Sequence, residues 1–156
     1  NDDIPDEIIQ EILKTALTAP SSWGAHPIHF VVIKNKKMIK QIAKCKAMGA
    51  PPLLEANVCI VVMADTSNCE LWIEDASVAS TYILLAAEQF DIGACWIHIR
   101  NRGGQNKSAD EEIRDLLNIP GNFRVLNCVA LGKKGENKKG YMNDDLVMDN
   151  IHYEKY

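Results

Sequence analysis

Between Asp3 and Leu17 the apolar residues Ile8, Ile9, Ile12, Leu13, Ala16 and Leu17 fall on one face of a 3.6-residue period. That spacing predicts an amphipathic helix, capped by Asp3 and with Pro5 in its first turn. Pro20 cannot continue it. The stretch APSSWGAHPIHFVVI, Ala19 to Ile33, reads next as a polar loop feeding a strand. Ser21 and Ser22 offer hydroxyls and backbone N–H groups, Trp23 and Gly24 open a turn, and Pro27 closes the loop. His29 to Ile33 is rich in β-branched residues and has strand length. After Asn35, the residues Met38, Ile39, Ile42 and Ala43 mark a shorter amphipathic helix with lysines on a solvated outer face. Gly49, Pro51 and Pro52 break the chain again into a loop.

Val58 to Ala64 is a nearly continuous apolar run of strand length, as expected for a strand buried on both faces. Glu70 to Gln89 reads as one long helix in which Ala76, Ser77, Ala79, Ser80, Ala86 and Ala87 alternate with Val78, Tyr82, Ile83, Leu84 and Leu85. A helix apolar around most of its circumference needs cover on most sides. In a chain of 156 residues that predicts one face on the sheet and another on a second copy. A third strand follows Gly93 through Cys95, Trp96, Ile97 and Ile99, then a polar loop from Arg100 to Lys107. Ser108 and Glu111 form a capping box for a helix through Leu117, and a fourth strand runs from Arg124 to Leu131. The remainder, Lys133 to Tyr156, is too polar to make a core and suits packing along a partner. Periodicity alone supports an α/β or α+β sandwich without fixing strand order.

Composition narrows the function. A formal charge of -4 and no basic stripe give no reason to expect nucleic acid. No apolar run approaches the ~18 residues of a membrane span. The five cysteines, Cys45, Cys59, Cys69, Cys95 and Cys128, form no CxxC pair and share no ligand-like spacing with the four histidines. They read as reduced core residues, no signal peptide precedes Asn1, and the expected location is cytoplasmic. GxSxG, HExxH and P-loop motifs are absent. No spacing rule selects a triad from Ser22, His26 and the many carboxylates. A chain without an obvious acid, base or nucleophile fits an enzyme whose cofactor carries the chemistry.

Three segments in order carry a resemblance: the Ala19 to Ile33 loop and strand, DASVASTYILLAAEQFDIGACWI from Asp75 to Ile97, and VALGKKGENKK from Val129 to Lys139. Together they resemble the flavin-dependent nitroreductase family, with similarity running from Ile4 to the closing IHYEKY. The resemblance implies a single domain over 1–156: an α+β, nitroreductase-like α/β sandwich with a central mixed sheet, flanking helices and a long helix at a homodimer interface. It implies FMN as cofactor, NADH or NADPH as donor, and a small-molecule acceptor, a nitroaromatic, quinone or similar electrophile, reduced by a ping-pong mechanism. The alternative is a dimeric flavin- or nucleotide-binding module of the same fold with little catalysis. A changed reaction, as in related deiodinases, is a third option.

Carried over residue by residue, the implied cofactor loop is Pro20, Ser21, Ser22, Trp23 and Gly24, with Gly24 where asparagine is common and His26 where glutamine is common. The implied strand segment is Trp96, Ile97 and His98, whose backbone N–H groups would face the flavin N5 and O4 edge. Alternation places Trp96 and His98 on one face. Lys138 or Lys139 occupies the region of the phosphate-binding cation, with Lys133 and Lys134 as neighbours, and no metal is implied. Arg100 and Arg102 are further candidates for a phosphate or a nicotinamide nucleotide. Family members carry an RxSxR-like phosphate anchor before the first helix, and this sequence begins after that point.

Overall fold

The computed structural model describes residues 3–156; the chain start at Asn1 lies outside them. The first helix, α1 (Asp6–Leu17), has Pro5 rather than Asp3 at its N-cap. The Pro5 carbonyl accepts the N–H groups of Ile8 and Ile9, both at 3.1 Å, and no side chain caps the helix. Strand β1 (Ile28–Ile33) leads to α2 (Lys36–Lys44). The Asn35 side chain caps α2 by accepting from Lys37 and Met38 N–H at 2.9 and 3.1 Å. Where a loop was expected, Pro51–Glu55 forms a short helix, α3, that buries Leu53. Proline suits a first turn because its missing N–H has no partner there in any case.

Strand β2 (Val58–Asp65) is buried almost throughout, and α4 (Trp72–Gln89) crosses to β3 (Ile92–His98). Helix α5 (Ala109–Leu117) starts at the expected capping box: Ser108 Oγ accepts the Glu111 N–H, and the Glu111 carboxylate accepts the Ser108 N–H. Strand β4 (Phe123–Lys133) completes the sheet. The α+β sandwich is as expected, with one correction. The sheet order is β1-β2-β4-β3, and every neighbouring pair among the described residues is antiparallel rather than mixed. Strands β2 and β3 run in the same direction, as a crossover helix demands, but β4 returns between them, so each pairs with β4 in the opposite sense.

Two cores follow from the two sheet faces. On one, α2, α3 and α5 pack Ile39, Ile42, Leu53 and Ile113 against Val61 and Cys128. On the other, α1 and α4 pack Ile9, Ile12 and Ile83 against Ile60, Val62 and Leu131. The small residues Ala76, Ala79 and Ser80 bring α4 close to the sheet, and all three are buried. Its opposite face has no cover from this chain; Thr81 is exposed and Leu85 is 66% exposed. No helix among the described residues is long and apolar enough to cross a membrane.

One sequence expectation about burial is corrected. All five cysteines are free, but only Cys45, Cys59 and Cys128 are buried; Cys69 is half-buried and Cys95 exposed. The apolar run GACWI lies on an edge strand, so one of its faces is only partly covered. The tail beyond Lys133 makes no core, as expected: its scattered apolar residues Leu146, Val147, Met148, Ile151 and Tyr153 are all exposed, around two short 3-10 turns.

Candidate functional site

The loop after α1 is held in an unusual shape. Trp23, Gly24 and His26 all have positive φ, at 55°, 64° and 47°. Only Gly24 adopts that region without steric cost. Two side-chain bonds help fix the loop: Asp75 Oδ1 on α4 accepts the Ser22 N–H at 2.8 Å, and Ser21 Oγ accepts the His26 N–H at 2.9 Å. The consequence is outward presentation. Trp23 is fully exposed, Pro20, Gly24 and His26 are exposed, and Ser21 and Ser22 are half-buried. A Cβ built on Gly24 meets nothing within 4 Å, so the backbone there faces open space. Under the loop, Pro20, Ser21, His26, Asp75 and Ala79 line a small cavity of about 60 Å³.

The strand segment behaves as its alternation predicts. Trp96 and His98 share a face and stack, with ring centroids 6.4 Å apart and planes 11° from parallel, while Ile97 points into the other core. Ile99 N–H donates to the Leu126 carbonyl at 3.0 Å, so alternation turns the Trp96 and His98 N–H groups toward the open edge of the sheet. Opposite His98 the β2–β4 register skips Leu126, a bulge that lets the Leu126 carbonyl accept from Arg100 as well, also at 3.0 Å. Bulges of this kind re-aim side chains beside sites.

Burial, then the charges of Arg102, Arg100 and Lys46, hold the His98 pKa below the ordinary histidine value. The sign of the linkage is fixed by that direction. Above the unfolded pKa of ~6.5, His98 is neutral in both states. As pH falls through that value the unfolded chain takes up the proton first, so stability declines until the lower folded pKa is passed. Between pH 7.5 and 5.5 the unfolding midpoint should therefore fall, and His98→Gln should flatten that decline in a thermal melt series. An equal decline in the variant would remove His98 as its source.

The lysines are less uniform than their sequence suggests. Lys134 is tied to Glu88 and Asp91, at 2.7 and 2.9 Å, near the end of α4. Lys138 pairs with Glu136 at 2.9 Å in full solvent, and Lys139 is exposed. Lys133, Lys134 and Lys138 line a cleft of about 420 Å³ with Gly93, Cys95 and Gly132.

The three sets of residues are not brought together in one chain. The loop lies beside β1, at one edge of the sheet, and Trp96 and His98 lie on β3, at the other. Three strand spacings of ~4.8 Å put these edges ~14 Å apart, with α4 lying across the face between them. The lysine cleft opens by the first half of β3, next to Cys95, whose side chain points away from the Trp96 face.

Sequence reasoning missed two residues here. Asp75 is only 6% exposed, and it also accepts a bond from Cys69 Sγ at 3.5 Å. A lone carboxylate on the covered face of an apolar helix was the available signal. Asn127 is fully buried opposite His98; its Oδ1 accepts from Ser80 Oγ at 2.9 Å, while its Nδ2 has no partner among the described residues. A buried amide with unused donors stands out in an apolar layer.

Comparison with known proteins bears on the sequence and the fold. The Nitroreductase family model matches residues 1–72 and 44–133. A protein of Archaeoglobus fulgidus, provisionally named NADH dehydrogenase/NAD(P)H nitroreductase, is 37% identical over 98% of this chain and 88% of its own length. An NADH dehydrogenase of Thermus thermophilus is 36% identical, over 96% of this chain and 86% of its own. Among solved structures, an FMN-dependent nitroreductase from Clostridium difficile superposes with a TM-score of 0.94 at 36% identity, covering 99% of this chain and 90% of that one. Matches of this extent, in sequence and in fold, make this chain a member of the nitroreductase family.

Proposed function

We propose that this chain is the subunit of a homodimeric FMN-dependent oxidoreductase. It takes hydride from NADH or NADPH and passes electrons to a small electrophile, a nitroaromatic or quinone, in a ping-pong cycle in the cytoplasm. The observation that carries the dimeric site is the separation just described. Each candidate set presents its groups outward, and none meets another within the chain, so a second copy laid against α4 is what joins the loop of one subunit to the Trp96–His98 edge of its partner.

The residues present fit FMN. The outward N–H groups of Trp96 and His98, the Ser22 hydroxyl and the His26 imidazole supply donors and acceptors for a flat polar ring. The stacked Trp96 and His98 supply an aromatic surface beside them. Lys138 and Lys139 supply cations for the phosphate. When bound, FMN supplies the hydride-accepting and electron-donating chemistry. The protein's part is to hold the ring in place, to aim dipoles at its polar edge and to keep His98 neutral, so that it accepts or donates one hydrogen bond without adding charge.

The test is an absorption spectrum of the purified protein with added FMN and then NADH under nitrogen. Flavin bands that appear with the protein and bleach with NADH are the expected result. A protein that retains no FMN and consumes no NADH sinks this reading in favour of a module of the same fold with little catalysis.

A further inference from the structure

A cleft of about 400 Å³ at the His98 end of the sheet has no part in the reading above. Its walls come from the turns after β2 and β3 and from the starts of α4, α5 and β4, contributing Thr66, Arg100, Trp72, Asp110 and Arg124 among others. Asp110 is the carboxylate among the lining residues, and it is fully engaged. Its Oδ1 accepts the Val125 N–H at 2.6 Å, and its Oδ2 is held by Arg114 at 3.1 Å. Arg124 is pinned by donating to the Gly121 and Phe123 carbonyls, both at 2.6 Å, which fixes its guanidinium without neutralising it. Arg100 is half-buried; its backbone N–H is used on the Leu126 carbonyl, but its guanidinium makes no hydrogen bond or ion pair among the described residues.

Two uncompensated guanidiniums and a half-buried indole around one cleft select a particular chemistry. Guanidinium groups match phosphate oxygens bidentately, and an indole offers a flat face to a heteroaromatic ring. The volume is that of a small-molecule site. Position adds a constraint. Arg100 lies two residues from His98, at most ~7 Å along the chain, so an occupant of this cleft sits beside the edge assigned to the cofactor ring.

We propose that Trp72, Arg100 and Arg124 form the subsite for the adenosine-phosphate half of the dinucleotide donor, the indole taking the adenine and the guanidiniums the phosphates. This assignment rests on the oxidoreductase reading. A nitroaromatic or quinone acceptor carries no phosphate to engage these cations, whereas a dinucleotide carries charged phosphates and a second flat ring at a distance from its nicotinamide.

The experiment uses ADP as probe, titrated by calorimetry onto the full chain with and without FMN. Wild type is expected to bind ADP saturably, Arg100→Gln to weaken it at least tenfold, and Arg100→Lys to restore most of the loss. In turnover, the ratio of KM for NADH to KM for reduced nicotinamide mononucleotide, which lacks the adenosine half, should rise about tenfold in Arg100→Gln. No saturable ADP binding to wild type, an unchanged affinity in Arg100→Gln, or an unchanged KM ratio overturns the subsite. The ADP titration without FMN judges the cleft by itself. Loss of FMN binding in wild type would instead count against the oxidoreductase reading.

Discussion

Asp75→Ala lowers the thermal unfolding midpoint by about 4–8 °C and costs the protein most of its FMN affinity. Asp75 is almost fully buried, yet its carboxylate makes the bond from α4 to the loop, accepting the Ser22 N–H at 2.8 Å, and also accepts from Cys69. A hydrogen bond to a charged group contributes ~1.5–3 kcal/mol, and truncating the acceptor leaves the Ser22 N–H unsatisfied. In a chain of this size ~2 kcal/mol corresponds to about 4–8 °C. The effect on FMN has a separate cause. The loop holds two non-glycine residues, Trp23 and His26, at positive φ, a conformation that persists only while its surroundings enforce it. Without Asp75 the loop relaxes and its outward groups lose their arrangement. Asp75→Asn is the control: it keeps an acceptor at the same place and should lose less than half as much on both measures. A variant with wild-type melting and FMN affinity would remove the loop from the site.

What the sequence revealed and what it concealed divide along physical lines. Ser108 and Glu111 announced the start of α5 because a capping box is a contact between residues three apart, and the structure forms both bonds. Trp96 and His98 were legible as a pair because strand alternation is also local. The antiparallel sheet was not legible, since nothing in β2, α4 or β3 says that β4 will insert between the two strands. Cys95 was misjudged for the same reason: an edge strand and a central strand have similar apolar runs, and only the neighbours tell them apart. The Asp75–Ser22 bond joins residues 53 positions apart, and the unused Nδ2 of Asn127 is defined only by what surrounds it. The candidate residues were thus readable one by one from local pattern and resemblance, whereas their distribution over opposite edges of the sheet required the fold.

That distribution leads to the second large effect. In the proposed homodimer, Leu85→Asp raises the dissociation constant by ~100-fold or more, equivalent to ~2.7 kcal/mol, and FMN is lost with the dimer. Leu85 is 66% exposed on the face of α4 that this chain leaves uncovered, with exposed Thr81 one turn away. A two-fold interface meets the same patch on both sides, so one substitution buries two unpaired carboxylates, each costing at least ~1–3 kcal/mol without a partner. The monomer itself gains no cavity and loses no buried contact, so its circular dichroism should match wild type. Sedimentation across a range of protein concentrations reads the dissociation constant, and FMN fluorescence quenching in the same samples reads occupancy. Leu85 lies ten residues from Asp75, ~15 Å along the helix, and does not touch the loop. Any loss of FMN must therefore pass through dissociation, and raising the protein concentration should restore it. A wild-type chain that stays monomeric with one FMN bound per chain would show that the two edges need no second copy to meet.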